Sequence, residues 1–326
     1  MDSNLKKVKK YDLLIVGLGS IGWRHLESIS NLSLRKKIHI LDKFTVIENV
    51  KKKIKNSNLN GNFYFYKNLN NIPKNIDLMI VCTNSDVRAL VTGKLIKKKN
   101  IKNIIFEKFL FQKKKDYSNI LKLIEKRKIK AWVNCQRRSI PFFKYLKNKI
   151  KNNKFDMHVC GSNWGLASNS IHFLDLFFFL KRKRVKIKKI SNNLEKKIYS
   201  SKRKKFINFF GSFEIKFIDG TKIILEDNKK ISSKNIKISI SSGLNKMQIL
   251  EQNKKIIFNL NNKTKSFKNY YTSEISKLNV KDILKKRICK LDNFKKSSQN
   301  HLILLNFFLN HLKINLKKNT TICPVT

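Results

Sequence analysis

Hydrophobic positions fall into two regimes along the chain. Over the first 135 residues, short continuous apolar runs alternate with helical stretches. The runs are Tyr11 to Val16, Ile38 to Leu41, Leu78 to Cys82, Ile104 to Phe106 and Ala131 to Cys135. Between them Ile21 to Ile29, Asp86 to Lys98 and Asp116 to Lys128 carry helical patterns. Runs apolar at consecutive positions suit strands buried on both faces, and their alternation with helices predicts a parallel sheet covered on two sides. From Gln136 onward the pattern changes. A strand is expected over Phe155 to Cys160 and an apolar helix over Ser170 to Leu180. Period-2 alternation follows, with Phe213, Ile215 and Phe217 on one face against Glu214 and Lys216. Asp219-Gly220 then marks a hairpin into Lys222 to Leu225, both turn positions being able to take positive φ. Further strands are expected at Ile236 to Ile240, Met247 to Glu251 and Ile256 to Leu260, before a helix at His301 to Leu312. The reading is two domains, residues 1–135 and 136–326, the second an α plus antiparallel-sheet unit.

The chain has 326 residues, 41% apolar and 10% aromatic, which supports two buried cores and excludes a disordered chain. The longest apolar run, His172 to Leu180, is too short to span a bilayer and carries Asp175. Met1 to Lys10 lacks the apolar stretch of a secretory signal, and five cysteines form no Cys-x-x-Cys pair. A cytoplasmic protein with no membrane partner is the expectation. The net charge is +52. Lys outnumbers Arg about six to one and its runs are spread over the whole chain. Readers of bases and phosphates favour Arg and concentrate it on one face. Lys, Asn, Ile and Phe are all written by A/T-rich codons, so compositional drift accounts for the excess and no specific nucleic-acid partner is expected. Runs such as Lys181 to Lys189 are read as solvated loops or strand edges.

Candidate chemistry gathers at the ends of the first-half strands. Gly17-Leu18-Gly19-Ser20-Ile21-Gly22 is G-x-G-x-x-G after a strand and opening a helix. Gly17 permits the turn, Gly19 lets backbone N–H groups approach a pyrophosphate, and Gly22 lets the helix pack on the strand. Ser20 and Ile21 open the helix, whose N-terminus favours an anion. Asp42 stands twenty residues after Gly22, placed to accept hydrogen bonds from ribose hydroxyls and to repel a 2′-phosphate. NAD is therefore the expected cofactor, with NADP not excluded because Lys43 lies beside that carboxylate. Thr83, Asn84, Glu107 and Lys108 follow two further strands and face the same crevice. Lys108 is either a ligand for a substrate oxygen or one more solvated lysine. In the second half, His172 and Asp175 share a helix face at i and i+3. Either His172 is an acid/base tuned by Asp175, or it is a core residue bonded to backbone. Asn163, Trp164 and Asn169 are candidates for a substrate wall, as is Arg138 for an anionic substrate group. A buried indole and a solvated arginine are the structural alternatives. No metal-ligand set is expected.

Gly17 to His25, Glu107-Lys108, Cys135-Gln136-Arg137-Arg138 and His172-x-x-Asp175 occur in an order and spacing that resemble the Gfo/Idh/MocA family, the glucose–fructose oxidoreductase and inositol dehydrogenase group. The resemblance covers nearly the whole chain. It implies a Rossmann doubly wound parallel sheet followed by an α/β domain with a large open, mostly antiparallel sheet. It also implies NAD(P)-dependent oxidation or reduction of a sugar, polyol or nucleotide-sugar hydroxyl. In that reading Lys108 is the lysine of a Glu-Lys-Pro motif and His172 the acid/base. The family would also allow a homo-oligomer through the open sheet, which the charge opposes. Asn163-Trp164-Gly165 and Cys323-Pro324-Val325-Thr326 look like a branch in surface-glycan biosynthesis. Phe109 replaces the proline of Glu-Lys-Pro, and Ser168 stands where many members have Asp. These departures motivate an alternative: a cofactor-binding protein of the same fold without turnover, a sensor or partner subunit.

Overall fold

The computed structural model describes residues 9–150, 154–203, 205–229, 236–252 and 255–326. Most of the stretch Met1 to Lys10 therefore lies outside the described residues. Elements of the first half run β1 (Tyr11–Val16), α1 (Ser20–Ser30), β2 (Lys36–Leu41), α2 (Phe44–Lys55) and β3 (Asn62–Tyr66). Next come β4 (Asn75–Ile76), β5 (Leu78–Val81), α3 (Ser85–Lys98), β6 (Asn100–Ile101), β7 (Asn103–Phe106), α4 (Lys114–Lys126) and β8 (Lys130–Val133). Six of these strands form one parallel sheet in the order β3-β2-β1-β5-β7-β8, the doubly wound arrangement. Every residue of β5 and β7 is buried, which is why those segments are apolar without alternation.

The rest comprises α5 (Pro141–Lys149), β9 (Asp156–Ser162), α6 (Leu166–Lys181), β10 (Ile187–Leu194), β11 (Tyr199–Ser200), β12 (Ile207–Asn208) and β13 (Gly211–Phe217). Strands β14 (Lys222–Asn228), β15 (Lys237–Ser242), β16 (Asn245–Glu251), β17 (Lys255–Leu260) and β18 (Lys263–Lys268) lead to α7 (Thr272–Lys286) and α8 (Phe294–Leu316). Eight strands form a mixed sheet, β10-β13-β14-β9-β15-β16-β17-β18, antiparallel except where β14 runs parallel to β9. One face alternates out of solvent: Phe213, Ile215 and Phe217 of β13 and Ile223 and Leu225 of β14 are buried. Edge strand β18 is almost wholly exposed and carries Lys263, Lys265 and Lys268, charges that discourage edge-to-edge pairing. No helix of the described residues is long and apolar enough to cross a membrane.

The chain packs as two units, and their bounds depart from a single boundary at residue 135. One holds residues up to Glu107, Ser118–Asn134 and Thr272–Cys289; the other holds Lys108–Tyr117, Cys135–Tyr271 and Lys290–Thr326. Helix α7 returns to the first unit because Ile275, Val280 and Ile283 are fully buried there, with α7 packed on α1. Two expectations change in detail. At Asp219-Gly220 only Gly220 has positive φ, +84°, and Gly220 N–H donates to Phe217 O at 3.1 Å. The turn is thus built on Ile218 and Asp219 with Gly220 in the left-handed position. Lys181, read within a solvated run, is fully buried. Its ammonium lies 2.7 Å from Asp219 Oδ2 and 2.8 Å from Thr221 Oγ1, tying the end of α6 to that hairpin.

Candidate active site

In the first unit, β1 ends in a turn that only glycine can make at two of its three positions. Gly17 has φ +88°, and a Cβ on it would lie 2.8 Å from Thr83 N at the end of β5. A Cβ on Gly22 would lie 2.1 Å from Gly17 O. Gly19 differs: nothing stands within 4 Å of its would-be Cβ, so the space over the N-terminus of α1 is open. Trp23 N–H donates the first helical bond, to Gly19 O, leaving the N–H groups of Ser20, Ile21 and Gly22 without intrahelical partners. Asp42, just past β2, folds its carboxylate against the same turn. Oδ2 accepts from Leu18 N–H at 2.5 Å and Oδ1 from Lys43 N–H at 2.7 Å. An open anion cradle with a carboxylate beside it fits a dinucleotide: pyrophosphate at Gly19–Ile21, ribose hydroxyls at Asp42. Replacing Asp42 by Ala should shift the NADH-to-NADPH affinity ratio toward NADPH by about tenfold or more, through loss of repulsion, as checked by fluorescence titration of both.

The remaining first-unit candidates divide. Asn84 is exposed and occupies the N-cap position of α3. Thr83 keeps its hydroxyl enclosed, and its carbonyl accepts the Arg88 guanidinium, Nε at 3.0 Å. Glu107 is not presented to a ligand. It is 7% exposed, and its Oε1 lies 2.8 Å from His25 Nε2 and 2.6 Å from Asn134 Nδ2. Arg88, itself buried, donates to the Glu107 carbonyl at 2.7 Å. Burial alone would push the Glu107 carboxyl up; hydrogen bonds from His25 and Asn134 and the nearby positive charge bring it below its ordinary value. None of His25, Arg88 or Asn134 was singled out by position in the sequence as a site residue.

In the second unit, Lys108 and helix α6 come together. Lys108 Nζ donates to Asn169 Oδ1 at 2.7 Å and to Ser168 O at 3.0 Å. Both acceptors lie in the first turn of α6, and His172 follows them by one turn on the same face. The acceptor at this corner is therefore the Asn169 amide, beside Ser168. The Lys108–Phe109 peptide is cis although residue 109 is not a proline. Phe109 is fully buried with its ring 4.9 Å from that of His301. His172 is half-buried, its Nδ1 enclosed with no hydrogen-bond partner among the described residues. Its pKa is lowered well below 6.5, first by burial and then by the charges of Lys108, Arg137 and His301.

The structure does not pair His172 with Asp175. Asp175 is fully buried and turned to Arg138, whose Nε and Nη2 reach its two carboxylate oxygens at 2.8 and 2.7 Å. Asp292 adds a longer contact at 3.4 Å. Burial pushes Asp175 up to about 6, even against the opposing pull of Arg138. The two side chains satisfy each other, so Asp175 as a catalytic group and Arg138 as a substrate clamp are both corrected to an internal ion pair. Arg138→Met should cost about 3–5 kcal/mol of stability by stranding that carboxylate, measured by urea unfolding. Trp164 is likewise structural. It is 8% exposed, its Nε1 donates to Glu226 O at 2.8 Å, and its ring meets Phe173 edge-on. Asn163 is exposed beside it with φ +51°. Asp227, unread in the sequence, holds this corner: its carboxylate accepts Trp164, Gly165 and Leu166 N–H at 3.2, 2.9 and 3.1 Å. It thereby caps α6 from β14, in place of a residue of the helix's own segment.

Residues 11–135 match the model of the Gfo/Idh/MocA oxidoreductase family, NAD-binding Rossmann fold. No curated protein matches in sequence. Among solved structures, a dehydrogenase (MviM) from Clostridium difficile superimposes with a TM-score of 0.69 at 14% identity, over 93% of this chain and 99% of that one. UDP-N-acetylglucosamine 3-dehydrogenase GnnA from Acidithiobacillus ferrooxidans gives 0.69 at 11% identity, over 92% and 96%. The transcriptional regulator Gal80p from Kluyveromyces lactis gives 0.69 at 14%, over 91% of each. At these identities the likeness is one of fold. With the glycine turn, Asp42 and the parallel sheet in place, residues 11–135 form an NAD-binding Rossmann domain of the kind the Gfo/Idh/MocA family model describes.

Proposed function

We propose that the chain oxidises or reduces a hydroxyl or carbonyl of a sugar, polyol or nucleotide-sugar with NAD(P). The observation that carries this is the Lys108 ammonium held on the α6 face that bears His172, whose Nδ1 has no partner among the described residues and whose pKa is lowered by burial and nearby charge. A neutral imidazole can take the proton of a substrate hydroxyl, and the ammonium can donate to the same oxygen as its negative charge grows. Bound NAD(P) supplies the two-electron exchange at the carbinol carbon. Exposed Asn163 and the Asn169 amide are the proposed contacts for neighbouring hydroxyls. The nucleotide-sugar dehydrogenase among the structural neighbours supports this substrate class, as does the carry-over from the family's sugar chemistry. A cytoplasmic setting belongs to the same proposal. The test is turnover of a panel of UDP-sugars and polyols with NAD⁺ and NADP⁺, with Lys108→Met expected to remove it.

A second reading is favoured by Ser168, which puts no carboxylate at a position where the resembling family often has one. It makes the chain a cofactor-dependent regulator or partner subunit, and a transcriptional regulator shares the fold. Saturable NADH binding with no turnover over the whole panel would select this reading.

A further inference from the structure

His25 is 1% exposed on α1, three residues after the last glycine of the turn. Its Nδ1 lies 2.6 Å from Ser276 Oγ of α7 and its Nε2 2.8 Å from Glu107 Oε1. An ionised carboxylate has no hydrogen to give, so Nε2 is the donor to Glu107; in the neutral ring Nδ1 then accepts from the Ser276 hydroxyl. The same Oε1 accepts from Asn134, and the Glu107 carbonyl accepts from Arg88. Three polar side chains thus converge on one buried residue that has no reactive role of its own, and a fourth, Ser276, holds the first of them. Burying a carboxylate is costly, and apolar packing between α1, β7 and α7 would be at least as stable. What distinguishes Glu107 is its place in the chain. It is joined by one peptide bond to Lys108, whose ammonium is the group assigned to the substrate oxygen.

We infer that His25 is a positioning residue: through Glu107 it fixes the main chain from which Lys108 extends. The inference rests on the proposed role of Lys108. Ser276 orients the ring, Asn134 shares the carboxylate, and Arg88 holds the carbonyl. Loss of the Nε2 donor frees the Glu107 side chain and loosens the Lys108 backbone without touching the glycine turn. A displacement on the scale of 1 Å at a group that must meet a reacting atom costs up to about 100-fold in rate.

The experiment compares wild type, His25→Leu, His25→Gln and Lys108→Met. It uses hydrogen exchange of the 108–112 amides, NADH affinity, kcat and KM. Glutamine can present an N–H donor toward Glu107, whereas leucine cannot. His25→Leu should raise exchange at 108–112, leave β1 and β5 protected, keep NADH affinity within about threefold and lower kcat about 10- to 100-fold with little change in KM. His25→Gln should restore most of both exchange and kcat. Unchanged exchange at 108–112, equal loosening throughout the sheet, or glutamine behaving like leucine would each overturn the inference. If wild type shows no turnover, the exchange arm still decides positioning while the dehydrogenase reading falls. If His25→Leu lowers kcat but Lys108→Met does not, the assignment of Lys108 is wrong and the inference falls with it.

Discussion

Changing His172 to alanine is expected to lower kcat by about 10²–10⁴ while leaving NADH affinity within about threefold of wild type. The range is that of a positioned histidine exchanging a proton in the transition state. The arrangement supports it because His172 Nδ1 is enclosed without a partner among the described residues, and Asp175, one turn on, is bonded to Arg138 instead. Its environment also sets a pH signature. Burial and the charges of Lys108, Arg137 and His301 depress the folded-state pKa well below 6.5, so the ring stays neutral as pH falls through the ordinary histidine range. For alcohol oxidation the neutral ring is the active form. The kcat profile should therefore remain flat from pH 8 through pH 6.5 and fall only at lower pH. The same shift acts on stability: the neutral folded form is favoured above pH 6.5, and that contribution is lost as pH falls below it. Steady-state kinetics over this range check both parts; a loss under tenfold, or a limb centred at 6.5, would remove His172 from the proposed role.

Gly19→Val should abolish cofactor binding, with a loss of 100-fold or more in NADH affinity, in a protein that still folds. The contrast with its neighbours is what makes the prediction specific. At Gly22 an added Cβ meets backbone at 2.1 Å, and at Gly17 the backbone has φ +88° and Thr83 crowds it, so changes there disturb the fold itself. At Gly19 the φ of −68° is open to any residue and no atom stands within 4 Å. A branched side chain therefore fits the apo protein and projects into the space a pyrophosphate needs beside the α1 N-terminus. Titration with NADH at low and high salt, alongside thermal unfolding, is the measurement. Salt tolerance matters here because a chain of charge +52 attracts any polyanion loosely. Binding that survives Gly19→Val and vanishes with salt would be that loose attraction.

Features that depend on neighbours along the chain were legible before folding. The run Tyr11 to Val16, the three glycines, the helix after them and Asp42 form one local unit, and each residue type there answers a local demand: burial on both faces, positive φ, close approach, or an acceptor at a strand end. The alternation at Phe213 to Phe217 and the turn after it were legible for the same reason. Tertiary structure decided the worth of every polar residue outside such patterns. Asp175 reads as a histidine's partner three positions away, yet it pairs with Arg138, 37 residues earlier. Glu107 reads as a cofactor contact, yet His25, 82 residues away, occupies its carboxylate. Lys181 and Lys108 look like dozens of other lysines until Asp219 buries one and Asn169, 61 residues on, positions the other. Helix α7 has no motif that marks it as part of the first unit; its buried Ile275, Val280 and Ile283 and the Ser276–His25 contact, 251 residues apart in sequence, do so. A hydrophobic period declares its own environment, because burial of one face is all it needs. A charge or amide does not, because its free energy is set by the partner and the dielectric it meets after folding. In a chain so rich in Lys and Asn, the sequence offers many equivalent candidates, and only the fold selects among them.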